Sequence, residues 1–227
     1  MHAGNAIYSE PADLPRSVPL FPLSGALLLP QTQMPLNIFE PRYVAMIDAA
    51  LQGDRLIGII QPDHTVPGAE QAEVPPLMRV GCVGRIIAYQ ETGDGRYLVT
   101  LNGIARFTLV EELDSVTPFR IGVISAEDFA DDFRAGFGEE TVDREGLIKT
   151  LKDYLEANSL EADWDSIERA STEVLVNALA MMSPYGPAEK QALLEAPDLR
   201  TRADTLVALT EVELARQGGG DDGVTLQ

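Results

Sequence analysis

The chain has 227 residues, 45% of them hydrophobic, which is enough apolar material for a sizeable core and too much for a wholly disordered polymer. Its formal net charge is −19, with 13 acidic and 7 basic side chains in residues 1–118 against 23 and 10 in residues 119–227. A field of that sign repels phosphate backbones and anionic lipid, so it argues against nucleic acid or a membrane as partner; the surplus acid reads first as a solvated surface, with a preference for basic polypeptide segments as a second option.

Residues 1–16, with Glu10, Pro11, Asp13 and Pro15, lack the basic start and the apolar run of a secretion signal. They read as a flexible N-terminus, and the expected location is cytoplasmic. Residues 17–127 are punctuated by Pro and Gly and contain short aliphatic runs at 56–60, 80–89, 96–110 and 119–124, the pattern of a sheet-rich barrel or sandwich. One helix interrupts them: Pro41 suits a first helical turn, and Tyr43, Ile47, Ala50 and Leu51 share a face before Gly53. Prolines between Gln61 and Met78 mark a surface loop, and Gly93-Asp94-Gly95 marks a hairpin. Asn102-Gly103 fits either a tight turn or a glycine bulge in one long bent strand. Cys82, the single cysteine, reads as a small buried side chain.

Residues 128–140 read as an acidic linker, Asp131-Asp132 and Glu139-Glu140 being its solvated charge. From 141 to 217 the period becomes helical. Leu147, Leu151 and Leu155 recur every fourth residue behind a cap at Asp143. Asp165 and Glu168 resemble a capping box that opens one helix running to Met182, with Ile167, Ser171, Val174, Leu175, Ala178 and Met182 on one stripe. A short helix from Pro187 and a last one capped by Asp198 complete a four-helix bundle, followed by a flexible tail at 218–227.

Catalytic chemistry finds few candidates. His2 and His64 are the only histidines, no His-x-x-x-His or Cys-x-x-Cys spacing occurs, and Gly-x-Ser-x-Gly is absent, so neither a metal site nor a serine triad is expected. Lys149, Lys152 and Lys190, the only lysines, read as solvated surface residues. No cofactor and no catalytic residue is assigned.

Leu20-Phe21-Pro22-Leu23 followed by Pro35-Leu36-Asn37-Ile38-Phe39-Glu40-Pro41-Arg42-Tyr43 resembles the opening signature of the N-terminal substrate-recognition domain of Lon-type ATP-dependent proteases. The resemblance continues in Val80-Gly81-Cys82-Val83-Gly84-Arg85-Ile86, in Leu101-Asn102-Gly103-Ile104-Ala105-Arg106-Phe107 and in the segment 183–195. Gln31 and Asn37 depart from it, standing where glycine and histidine are frequent. Gly-Lys occurs nowhere, so no phosphate-cradling G-x-x-x-x-G-K-[ST] loop is present, and a standalone bacterial form without ATPase or peptidase domain is the expectation.

The resemblance implies an α+β fold: a PUA-like β pseudobarrel with one inserted helix, followed by a small C-terminal helical bundle. It also implies a non-catalytic module that captures unfolded or partly folded polypeptides as an adaptor or holdase, with a protease or chaperone as possible partner. Scaffolding of a folded partner is the alternative, and an RNA-binding or hydrolytic protein ranks behind both. Met34, Leu36 and Phe39 are the candidate peptide contacts, in a groove between barrel and helices. Glu40, Pro41, Arg42, Tyr43, Gly81, Gly103 and Arg106 are signature residues assigned structural roles: Glu40 at a helix start, Arg42 tying helix to sheet, and Arg106, like Arg85, pairing with an acid or reaching solvent.

Overall fold

A computed structural model of the chain describes residues 1–69, 72 and 74–218. Among the described residues the strands are β1 (His2–Ala3), β2 (Ala6–Ile7), β3 (Ser17–Pro22), β4 (Gln33–Ile38), β5 (Leu56–Pro62), β6 (Leu77–Glu91), β7 (Tyr97–Leu113) and β8 (Arg120–Ser125). The α-helices among them are α1 (Pro41–Gln52), α2 (Arg144–Ala157), α3 (Trp164–Arg169), α4 (Thr172–Met182), α5 (Pro187–Glu195) and α6 (Leu199–Gly218). The expected tail at 218–227 lies, beyond Gly218, outside the described residues.

The large sheet has the order β4-β7-β6-β5-β3-β8 and closes through a further β7–β8 pairing. β7 makes this possible because it is 17 residues long and bends: its first part pairs with β4 (Pro35↔Thr100), its last part with β8 (Leu109↔Ile124), and β6 runs beside it from Glu91↔Tyr97 to Val80↔Thr108. The bend is a bulge, since Val83 opposes Ala105 while Gly84 opposes Gly103, leaving Ile104 as the extra residue. Asn102-Gly103 therefore belongs to one long strand. A Cβ on Gly103 would collide with the Leu29 carbonyl. The Gly93–Gly95 turn joins β6 to β7 as expected, with Thr92 N donating to Arg96 O at 3.1 Å. β3 and β5 pair in parallel, the crossover between them carrying β4 and α1. Pro35 is tolerated because β4 is an edge strand.

Phe107, fully buried, fills the barrel with Leu20, Ile60, Val83 and Ile104. Its ring is why residue 81 is glycine: a Cβ there would lie 2.6 Å from the Ile59 carbonyl oxygen and equally close to the ring. A second apolar cluster runs without interruption from Phe21, Met46, Ile57 and Leu101 to Leu175, Leu193 and Leu206, so the two halves share one core.

Several expectations are corrected here. Residues 1–16 are packed: the β1–β2 hairpin buries Ala3, Tyr8 is buried, and Arg85 ties them down through the Tyr8 hydroxyl at 3.1 Å and the Asn5 side chain at 3.1 Å. The presumed linker contributes two buried residues. Glu127–Phe133 forms 3₁₀ turns against β7, burying Phe133 and Asp132, because Asp132 is the counter-charge of buried Arg106. The presumed long helix before Met182 is two, broken at Ala170, since the Asp163 carboxylate accepts from Ser166 N to start α3 and Ser171 Oγ accepts from Val174 N to start α4. Asp143 and Asp198 do cap α2 and α6, accepting from Gly146 N at 3.0 Å and Thr201 N at 2.7 Å.

Gln31 adopts a φ of 63°, the left-handed region that favours glycine, and its Nε2 donates to Glu173 Oε2 at 2.7 Å. The same oxygen accepts from Gly136 N at 2.7 Å, while Glu173 N donates to Glu139 Oε1. Glu173 thus links barrel, acidic segment and α4. Burial raises its pKa above the ordinary glutamate value, with Glu139 and Asp132 adding to the effect against the two hydrogen bonds. The folded chain consequently holds this proton more tightly than the unfolded one; the contribution to stability is complete below the unfolded pKa and is lost as pH rises through the folded value.

Asp132→Ala should destabilise the fold by about 3–5 kcal/mol in urea titration, the cost of an unpaired buried guanidinium. In a series of melts across the mildly acidic range, Glu173→Gln should remove a component in which the wild type loses stability as pH rises.

Candidate functional site

The structure distributes the residues singled out in the sequence. Met34 is buried, Leu36 half-buried against the same core, and Phe39 62% exposed just beyond β4, so the three do not present one continuous face. Glu40 stands at the N-cap position of α1 with Pro41 in the first turn, but its carboxylate caps no backbone N–H. It pairs instead with exposed Arg42, whose guanidinium lies 2.8 Å from it and stacks 4.5 Å from the Tyr43 ring centroid. Arg42 thus braces its own helix turn. Tyr43 packs the joint, its ring 4.2 Å from that of Phe21, and burial raises the pKa of its hydroxyl. Arg106 pairs with an acid, as one of its two readings held, and is fully enclosed.

The anticipated groove between barrel and helices is closed. Gln61 on β5 accepts from Gly25 N and donates to Pro187 O and Gln191 Oε1, both at 3.0 Å; Gln191 Nε2 donates to Val80 O at 3.1 Å. Asn177 on α4 donates to Pro30 O at 3.2 Å. These side chains satisfy backbone groups that would otherwise be stranded in an apolar interface.

An open apolar site lies instead inside the helical half, between α2, the end of α4 and α6. The cavity measures about 330 Å³ and is lined chiefly by Leu151, Tyr154, Leu155, Leu160, Met182 and Val207. On α2 the wall follows from leucines one turn apart, which point the same way. The opposite wall is the turn after α4, where the Tyr185 hydroxyl is hydrogen-bonded to Thr210 Oγ1 at 2.7 Å and so leaves little free polarity. At the mouth, Leu160 is 53% and Met182 80% exposed. Such a concave, mainly apolar, partly open surface is suited to accepting apolar side chains.

Lys190 is the residue that sequence reasoning misplaced. It is buried, and its Nζ donates to the carbonyls of Ala180 at 3.1 Å and Met181 at 2.6 Å, closing the C-terminus of α4 where cations are favoured. Burial lowers its pKa. The signal was available in principle: Lys190 follows α4 by one short turn, close enough to reach back over its last carbonyls. Among the described residues no group of His, Cys, Asp and Glu is placed to hold a metal ion, and no helix is long and apolar enough to cross a membrane.

The fold is a β pseudobarrel with one inserted helix and a helical appendage carrying an apolar pocket, and comparison with known proteins gives it a family. The profile of the ATP-dependent protease La (LON) substrate-binding domain matches residues 17–211, and the chain belongs to that family. It is 26% identical to Lon protease 2 of Myxococcus xanthus and 30% identical to Lon protease of Parabacteroides distasonis, each alignment covering 87% of this chain and 24% of the relative. The chain spans about a quarter of the length of these relatives. The N-terminal domain of Mycobacterium avium complex Lon protease superposes with a TM-score of 0.63 at 19% identity, covering 86% of this chain and 98% of that one. The Lon N-terminal domain protein from Xanthomonas campestris gives 0.59 at 22%, covering 85% and 97%. The fold is that of these domains.

Lys190→Met should lower the melting temperature, stranding two carbonyls at a cost of about 1–3 kcal/mol.

Proposed function

We propose that this chain is a non-catalytic, cytoplasmic recognition module, an adaptor or holdase that captures apolar segments of unfolded or partly folded polypeptides in the cavity of its helical half. The observation that carries this reading is the cavity itself: leucine-lined, open to solvent, and rimmed by exposed Leu160 and Met182 in a chain whose surface is otherwise strongly acidic. Membership of a substrate-binding family supports it. One or two apolar side chains would enter the pocket while the acidic surroundings keep the complex soluble. Leu36 and Phe39 form a secondary candidate contact on the barrel side.

The test is fluorescence anisotropy with labelled, reduced and alkylated ribonuclease, run beside a gel for cleavage. Binding without fragments is expected; fragments would reopen an enzymatic reading, and absence of binding would favour a scaffold for a folded partner. Leu155→Ser and Leu160→Ser should each weaken binding by about tenfold, given that burying a leucine contributes about 1.5–3 kcal/mol. On the barrel side, Met34→Ser should cost about 2–4 kcal/mol of stability as a core truncation, whereas Phe39→Ser should leave the melting temperature unchanged and report on binding alone.

A further inference from the structure

Six methionines occur in the chain. Met34 and Met46 are buried, Met1, Met78 and Met181 are partly so, and Met182 stands 80% exposed. Its place is set by its neighbours: Lys190 holds the carbonyls of Ala180 and Met181, and Ser183 Oγ donates to Leu179 O at 2.7 Å. That anchoring leaves the Met182 thioether at the mouth of the apolar cavity, beside Leu155, Leu160 and Tyr185. The one cysteine offers no competing target, because Cys82 is buried and burial holds its thiol protonated.

We infer that Met182 is a reversible oxidation site, at which a peroxide-class oxidant lowers the affinity of the cavity for apolar segments. The inference rests on the recognition reading above. In the step, a sulfur lone pair attacks one oxygen of hydrogen peroxide; an S–O bond forms, the O–O bond breaks, and the departing hydroxide takes the proton released from the transferred oxygen and leaves as water. Sulfur loses two electrons and the peroxide gains them. The product is a polar sulfoxide in place of a flexible apolar side chain. When a ligand covers the cavity mouth, that oxygen must give up water against a lining that is mostly apolar, chiefly Leu151, Leu155, Leu160 and Val207, a loss that should appear as about tenfold weaker binding. Reduction of the sulfoxide by methionine sulfoxide reductase restores the thioether.

The experiment treats wild type and Met182→Leu with limiting hydrogen peroxide, quenches with catalase, maps oxygen uptake by peptide mass spectrometry, and measures binding of the labelled ribonuclease before treatment, after it, and after sulfoxide reductase. Each protein is compared with its own untreated state. Expected are first oxygen uptake at Met182, a rise of about tenfold in wild-type Kd that reductase reverses, and a change below about twofold in Met182→Leu. First uptake at Met78 or Met181, an unchanged Kd with Met182 fully oxidised, or an equal loss in Met182→Leu would overturn the inference. If the untreated wild type does not bind the ribonuclease, the recognition reading fails and the effect on affinity fails with it, while the mass map still decides whether Met182 is the site that oxidises.

Discussion

The Arg106–Asp132 pair is the interaction on which the two halves of the molecule depend. Asp132 Oδ2 accepts from both the backbone N and Nε of Arg106 at 2.9 Å, and Oδ1 accepts from Nη2 at 2.8 Å. The remaining guanidinium nitrogen, Nη1, donates to the carbonyls of Leu194 and Ala196 at the end of α5, and Phe129 stacks at 4.6 Å. One side chain on a barrel strand thereby fixes the acidic segment and the helical half together. A buried ion pair adds little net stability when complete, because desolvation offsets its attraction, but it is costly when broken. Its contribution here is to orientation, since these hydrogen bonds reach the acidic segment and the end of α5 at once.

A second buried arginine extends the same logic. Arg202 on α6 donates to Leu193 O and to Asn177 Oδ1, both at 2.9 Å, and Asn177 in turn reaches Pro30 in the barrel. Burial, together with the nearby Arg106 charge, lowers the Arg202 pKa to about 10, and Asp132 opposes that shift. The Asp132 charge acts on both guanidinium groups, while its hydrogen bonds go to Arg106. The network is not complete, since Arg202 Nη2 is buried without a hydrogen-bond partner among the described residues.

Because the seam is filled by these contacts, the apolar surface that stays open lies within the helical half. There α2, α4 and α6 meet around a space that none of them fills. The short α3 turns the chain away at Ala170, and Lys190 pins the end of α4 so that Met182 projects over the opening. The apolar pocket is thus a product of the same capping and burial that stabilise the bundle.

The order of a β domain followed by helices, the first helix and its Pro41 start, the Gly93–Gly95 hairpin and the Asp143 and Asp198 caps were all legible in the sequence, since each depends on neighbours a few residues apart. So was the family, carried by motifs whose order is preserved along the chain. Arg106 and Asp132 were not legible as buried groups, and neither was the pocket. The partners of Arg106 lie 26, 88 and 90 residues away, and no local pattern records such a pairing. The leucine stripe of α2 likewise announces an apolar face without saying what covers it, and on the stripe shared by Leu175 and Met182 the first is buried and the second exposed. The sequence by itself determined the elements, their caps and the lineage of the fold, because those are short-range or additive. Only the tertiary structure decided which charges are buried and where an apolar surface stays open, because both depend on how distant segments fill the same volume.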